Sequence, residues 1–172
     1  RRQFAEALNR YAARHHRECS GGRERLEITY QTVSSVTDPA AEVEVLTEQL
    51  RAHMESHQGA ERASRMCLSG PHKDDLVITI DGREAKFYSS QGQTRTAALA
   101  LKLAEREIYQ NATGEYPVLL LDDVLSELDP RRQEFVLNRI AGGQVFITCC
   151  EDDRLPVLLG GKVFHVKQGA IG

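Results

Sequence analysis

Pro117-Val118-Leu119-Leu120-Leu121-Asp122-Asp123-Val124-Leu125-Ser126-Glu127-Leu128-Asp129-Pro130 is the stretch on which the fold turns. Its apolar run, 118–121, has no polar face, so it reads as a strand buried on both sides of a sheet. Two carboxylates follow at once. In open α/β sheets ligands bind beyond the carboxyl ends of the strands, and Asp122 and Asp123 stand at that edge. One of the two carboxylates can hold Mg²⁺, which prefers hard oxygen ligands and keeps several waters. Its neighbour points the other way along the chain and can act on a water. The plainer reading is a buried strand ending in a polar turn, and two aspartates alone do not decide between the two.

Downstream, Asp129-Pro130 is a good helix start, with Asp as N-cap and Pro at the first helical position. Val136, Leu137 and Ile140 form that helix's apolar face, and Gly142-Gly143 ends it. Residues 145–148 read as another buried strand and 162–166 as a final one, with His165 facing solvent or a satisfied partner.

Upstream, Ser89-Ser90-Gln91-Gly92-Gln93 is a small polar loop that opens a long helix. Ala97, Ala100, Leu101, Ala104 and Ile108 form that helix's stripe, and 111–114 ends it. Free N–H groups and the helix dipole at such an opening favour phosphate oxygens, and Gly92 lets another backbone approach closely. A plain N-cap on Ser89 or Ser90 explains the same residues. Before the loop, 76–80 is a strand and Asp81-Gly82 a hairpin turn. Residues 84–88 are expected to return as the partner strand.

The first 60 residues read as helix, strand, helix. Phe4, Leu8, Tyr11, Ala12 and His15 share a helix face, which Ser20-Gly21-Gly22 terminates. Residues 26–30 alternate as a half-buried strand does. Val43, Leu46, Leu50 and Met54 form a second helical stripe ending near Gly59. His53 and His57 share a face at a metal-binding spacing, but no third ligand is evident and a solvated face explains them. The character changes near Glu61, where Arg62, Arg65, His72 and Lys73 make a locally basic stretch.

Composition bounds the answer. At 172 residues the chain makes about one domain. A net charge of −3 supplies no global field for nucleic acid, so any such site must be a local basic patch. Cys19, Cys67, Cys149 and Cys150 show no C-x-x-C spacing and read as reduced thiols of a cytoplasmic protein. No apolar stretch reaches membrane-spanning length and no signal peptide opens the chain. The first residue is Arg1 rather than Met, so a fragment of something longer is expected.

Together these motifs resemble the RecF family, bacterial recombination mediators whose ABC-type ATPase head is related to that of the SMC proteins. The run 70–76 (Gly-Pro-His-Lys-Asp-Asp-Leu), the hairpin, Ser90-Gln91-Gly92-Gln93 and the strand with its Ser126-Glu127-Leu128-Asp129 continuation carry the resemblance. The polar loop is similar to the Leu-Ser-Gly-Gly-Gln signature, the strand to Walker B and its continuation to the D-loop. Two departures stand out. Asp123 occupies the place of the usual glutamate, and Cys149-Cys150 follow the next strand where a His-switch would be.

The resemblance implies an α/β fold: the C-terminal lobe of an ABC head (61–172), preceded by a small, mainly helical arm (1–60). It implies ATP and Mg²⁺ as cofactors and an ATP-dependent homodimer. By resemblance Asp122 takes the metal and Asp123 the attacking water. Ser90, Gln91, Gly92 and Gln93 meet the partner's nucleotide, and Ser126 and Asp129 communicate across the dimer. Expected partners are double-stranded DNA, single/double-strand junctions, RecO and RecR. Arg62, Arg65 and Lys73 are the candidate DNA contacts, with Arg95, Arg131 and Arg132 further possibilities.

One part is missing. A phosphate cradle needs G-x-x-x-x-G-K-[ST], and the lone Gly161-Lys162 is followed by Val163. The chain alone is therefore expected not to turn ATP over. Two alternatives stand beside this reading. One is a non-catalytic DNA- or protein-interaction module derived from such a head. The other is a different head, against which the absence of coiled-coil heptads (SMC-like) and of the histidine (transporter) both argue.

Overall fold

A computed structural model describes residues 1–125, 128–150 and 161–171. The chain runs α1 (Arg2–Cys19), β1 (Leu26–Gln31), α2 (Val43–Ser64), a 3₁₀ turn (Pro71–Lys73), β2 (Asp75–Ile80), β3 (Arg83–Glu84) and α3 (Ala85–Tyr88). It continues through α4 (Gln91–Thr113), β4 (Leu119–Asp122), α5 (Pro130–Arg139), β5 (Val145–Thr148), β6 (Val166–Lys167) and β7 (Ala170–Ile171). The α/β class read from the sequence is the one observed.

Helix α4 lies between two cores. On one side Ala97 and Ala104 meet Leu8, Ala12, Leu26, Ile28 and Ile80 of α1, β1 and β2. On the other side Leu99 and Leu103 meet Leu119, Leu121, Leu125, Leu128, Val136 and Ile140 of β4, α5 and the turn between them. The stripe expected for α4, Ala97, Ala100, Leu101, Ala104 and Ile108, is therefore only one of the two faces it buries. Two leucines, one helical turn apart, make the second stripe.

Polar contacts fix the α1–α4 seam. Glu107 accepts from Arg14 and from His15 Nε2, the latter at 3.0 Å. Asn111 donates to the Tyr11 hydroxyl at 3.1 Å. Asn9 of α1 accepts from the Ile28 N–H of β1 at 2.8 Å. Strand β1 pairs antiparallel with β2 from Leu26↔Ile80 to Gln31↔Asp75. So α1 and β1 pack with β2 and α4.

Several expectations shift. The buried face of α1 is Ala5, Leu8, Ala12, His15, His16 and Cys19, and Phe4 is exposed. Helix α2 runs through Gly59 to Ser64. Its His53 is buried and hydrogen-bonded to Ser69 at 2.6 Å, stacked on His57 at 3.9 Å, rather than solvated. The Asp81-Gly82 turn takes the positive φ angles expected of a hairpin, 50° and 76°. The returning strand is only two residues long, because 85–88 coils into α3. Residues 166–171 form a small exposed hairpin, and the strand expected over 162–166 is not there.

Strands β4 and β5 are parallel, in register from Leu119↔Val145 to Asp122↔Thr148. Among the described residues only one face is covered. Leu119 and Leu121 are buried, while Leu120 is 70% and Phe146 51% exposed. A buried guanidinium ties this sheet to the helices. Arg106 of α4 donates to the carbonyls of Arg139 (3.4 Å), Ile140 (3.3 Å) and Gly142, and lies 4.2 Å over the Tyr116 ring. Gly142 and Gly143 are needed there. A Cβ on either would fall 2.7 or 2.6 Å from Tyr116 atoms, and both have positive φ.

Burial holds the imidazoles of His15 and His16 below the ordinary histidine range, against the opposing pull of Glu107 and Glu24. In the unfolded chain both titrate near pH ~6.5. Below that pH the unfolded state binds more protons than the folded one, so stability falls as pH falls. Urea unfolding should show a lower midpoint at pH 5.5 than at pH 7.5, and a His15→Gln, His16→Gln double variant should flatten that dependence.

Candidate functional site

The polar loop of the sequence becomes the N-terminus of α4. Ser90 is its N-cap and forms a reciprocal capping box with Gln93. The Gln93 N–H donates to Ser90 Oγ at 3.3 Å, and the Ser90 N–H donates to Gln93 Oε1 at 2.9 Å. Ser90 and Gln91 are exposed, Gly92 and Gln93 half-buried. Helix geometry leaves the amides of Gln91 and Gly92 without an intrahelical acceptor. A Cβ at Gly92 would meet only Arg132 Nη1, at an ordinary 3.5 Å. Packing among the described residues therefore does not require the glycine.

The same arginine reaches the second motif. Arg132 Nε lies 3.5 Å from Asp129 Oδ2. Asp129 caps α5, its Oδ1 accepting from the N–H groups of Arg131 and Arg132 at 3.1 Å each. Leu125 and Leu128 anchor the turn before it in the core, and Gln133 Nε2 donates to the Leu125 carbonyl at 2.8 Å. Gly92, Arg132 and Asp129 thus come together at one place. Ser126 and Glu127 lie outside the described residues.

The two carboxylates stand at the end of β4, exposed. The register sets Asp122 opposite Thr148. Thr148 Oγ1 donates to Asp122 Oδ1 and accepts from the Asp123 N–H at 3.0 Å, while the Thr148 carbonyl accepts from the same N–H at 3.1 Å. Asp123 has φ 53°, a left-handed conformation that aspartate tolerates better than most residues. The backbone therefore turns sharply right after Asp122. Sequence reasoning missed Thr148. Its signal was the pairing of two parallel strands of equal length, each ending in polar residues.

No family model matches the chain. The DNA replication and repair protein RecF of Symbiobacterium thermophilum is 42% identical over 174 residues, 97% of this chain and 46% of that protein. The RecF of Alkaliphilus oremlandii is 38% identical over 173 residues, 99% of this chain and 47% of its own length. A solved structure of the recombination mediator protein RecF with ATPrS, in the RecFOR pathway, superposes with a TM-score of 0.79 at 36% identity. It covers 98% of this chain and 44% of that one. The chain belongs to the RecF family. It spans about half the length of the curated relatives it matches.

The donors at the end of β4 suit Mg²⁺. Asp122, Asp123 and the Thr148 hydroxyl are hard oxygens, and such a cation takes one or two carboxylates with water or phosphate completing the shell. Among the described residues no group of three or more His, Cys, Asp or Glu side chains is placed to hold a metal ion, so water or phosphate would have to supply the rest of the shell. The other RecF-like candidates scatter. Arg62 lies in the last turn of α2, Arg65 is its C-cap and Lys73 lies in the 3₁₀ turn, all exposed. Cys149 and Cys150 follow β5 as exposed free thiols. Cys19 is buried, and burial pushes its thiol up to about 11. No helix among the described residues is long and apolar enough to cross a membrane.

The capping box makes a stability prediction independent of any ligand. Ser90→Ala should lower unfolding free energy by about 1 kcal/mol, and Ser90→Asp should retain most of it, because aspartate also accepts from the Gln93 N–H. Denaturant titration of the three proteins checks this.

Proposed function

We propose that this chain is the C-terminal part of a RecF-type ATPase that acts in recombinational repair of gaps and stalled forks. In this reading the complete polypeptide binds ATP and Mg²⁺, dimerises head to head, holds double-stranded DNA or single/double-strand junctions, and works with RecO and RecR. The observation that supports it most is the match over nearly the whole chain, at 42% identity to a RecF and a TM-score of 0.79 to a RecF structure. The exposed turn at Ser90 is the second support.

The roles follow from the chemistry of each group. Bound Mg-ATP supplies the phosphoanhydride bond and a cation that neutralises phosphate charge. Asp122 holds the cation's shell, oriented by the Thr148 hydroxyl. Asp123 orients the attacking water and accepts its proton. Free N–H groups at Gln91 and Gly92, with the Ser90 hydroxyl, donate to phosphate oxygens of a nucleotide held by the partner subunit. Ser126 and Asp129 communicate across the dimer in this reading, and Arg132 pairs with Asp129. Arg62, Arg65 and Lys73 offer phosphate contacts for DNA. In this reading the phosphate cradle lies in the part of the complete polypeptide that this chain does not span, so turnover requires the complete polypeptide.

Two experiments on the complete polypeptide test this. Ser90→Arg should leave single-subunit nucleotide binding intact and abolish ATP-dependent dimers in sedimentation; a surviving ATP-driven dimer would remove the signature role.

The carboxylates should separate. Asp123→Asn keeps the left-handed turn, so it should retain ATP-induced dimers and reduce single-turnover hydrolysis by at least about 100-fold. Asp122→Asn should weaken Mg²⁺-dependent binding and hydrolysis together. Equal, modest stability losses in both, with hydrolysis intact, would mean that they merely terminate a strand.

A further inference from the structure

Gln93 was read from the sequence as one of the groups that meet a nucleotide. Its amide is already engaged at both ends. Oε1 accepts from the Ser90 N–H at 2.9 Å, and Nε2 donates to Glu24 Oε1 at 3.1 Å. Glu24 lies 69 residues away in sequence, in the connection between α1 and β1. Its other oxygen, Oε2, meets His16 Nε2 at 3.1 Å. A carboxylate only accepts, so the His16 ring donates from Nε2. That ring is 0% exposed, and its Nδ1 has no partner. The two oxygens of one carboxylate therefore join a buried side chain of α1 to the side chain that shapes the start of α4.

We propose that Glu24 is a positioning residue for the serine turn: it clamps the Gln93 amide so that Ser90, Gln91 and Gly92 are held in the geometry that presents their donors outward. A capping glutamine on its own can leave the N-cap by changing rotamer. Glu24 removes that freedom, and His16 removes the freedom of Glu24. The energetic logic is preorganisation: donors fixed before the ligand arrives need no ordering when it binds. The functional consequence rests on the reading that this turn meets a nucleotide; the local geometry does not.

The choice of substitutions follows from the hydrogen-bond inventory. Glu24→Ala removes both contacts. Glu24→Gln keeps an acceptor for Gln93 and offers an N–H to His16 Nε2 in its other tautomer, so it should rescue. Glu18→Ala serves as a stability control. It deletes an ion pair with Arg139 (2.5 Å) at the same end of α1 without touching the turn.

The first measurement is amide hydrogen exchange in this chain, read at Gln93 relative to Ala104 in the middle of α4. Gln93 should exchange about fivefold faster in Glu24→Ala, the factor expected for loss of a cap, and near the unmodified rate in Glu24→Gln and Glu18→Ala. An unchanged Gln93 in Glu24→Ala, or an equal change in Glu18→Ala, overturns the proposal. The second measurement uses the complete polypeptide. Glu24→Ala should slow ATP turnover about tenfold with single-subunit nucleotide affinity unchanged, and Glu24→Gln should restore it. Lost nucleotide affinity instead of lost turnover would also overturn it. If Gln93 exchange responds as expected while Ser90→Arg still dimerises with ATP, the clamp stands and the nucleotide reading falls.

Discussion

The two hydrophobic cores of the described residues both depend on α4 being buried from two sides. Its alanines allow α1 to approach closely, and its leucines carry β4 and α5. Alanine is suited to the first task because it adds no side-chain entropy loss and little bulk. Leucine suits the second because each buried side chain contributes about 1.5–3 kcal/mol. A helix packed this way cannot shift along its axis without opening one core or the other. Its N-terminus is therefore a fixed point, which is what a turn bearing donors for a bound group requires. The Arg106 guanidinium, bonded to carbonyls after α5 and stacked on Tyr116, fixes the opposite half of the same helix.

From that fixed point the geometry spreads through short side chains. Arg132 lies beside the Gly92 position and approaches Asp129, and Asp129 caps α5. On the other sheet edge Thr148 ties Asp122 and the Asp123 backbone into one unit. Hydroxyl, amide and carboxylate groups here mostly satisfy one another rather than float in solvent. Such satisfied networks hold donors and acceptors at set distances, and ordering them is complete before any ligand is present.

Much of this was legible in the sequence. The cap at Asp129-Pro130, the turn at Asp81-Gly82 and the serine cap of α4 each rest on local chemistry that a few adjacent residues determine. The strand carrying Asp122 was legible from an unbroken apolar run. What could not be read were contacts set by tertiary pairing. Thr148 lies 25 or 26 residues from the aspartates and acquires its role only through the β4–β5 register. Glu24 sits in an unremarkable polar connection, and nothing local ties it to Gln93. The second stripe of α4 was missed because a helix covered on two sides has no single apolar period. Residues 85–88 were misread because Phe87 and Tyr88 suit a strand by propensity, whereas both ends of that segment are constrained by turns.

The apolar run that announces the strand also says what the described residues leave open. An alternating pattern would have suited a strand with one wet face; 118–121 is apolar throughout, and Phe146 matches it across the ladder. Leu120 and Phe146 pair in register on the uncovered side. Two parallel strands with a bare apolar face are not a stable unit in water, because parallel sheets occur almost only with both faces covered. In composition, β4 and β5 therefore match strands of a sheet covered on both faces, although Leu120 and Phe146 are exposed among the described residues.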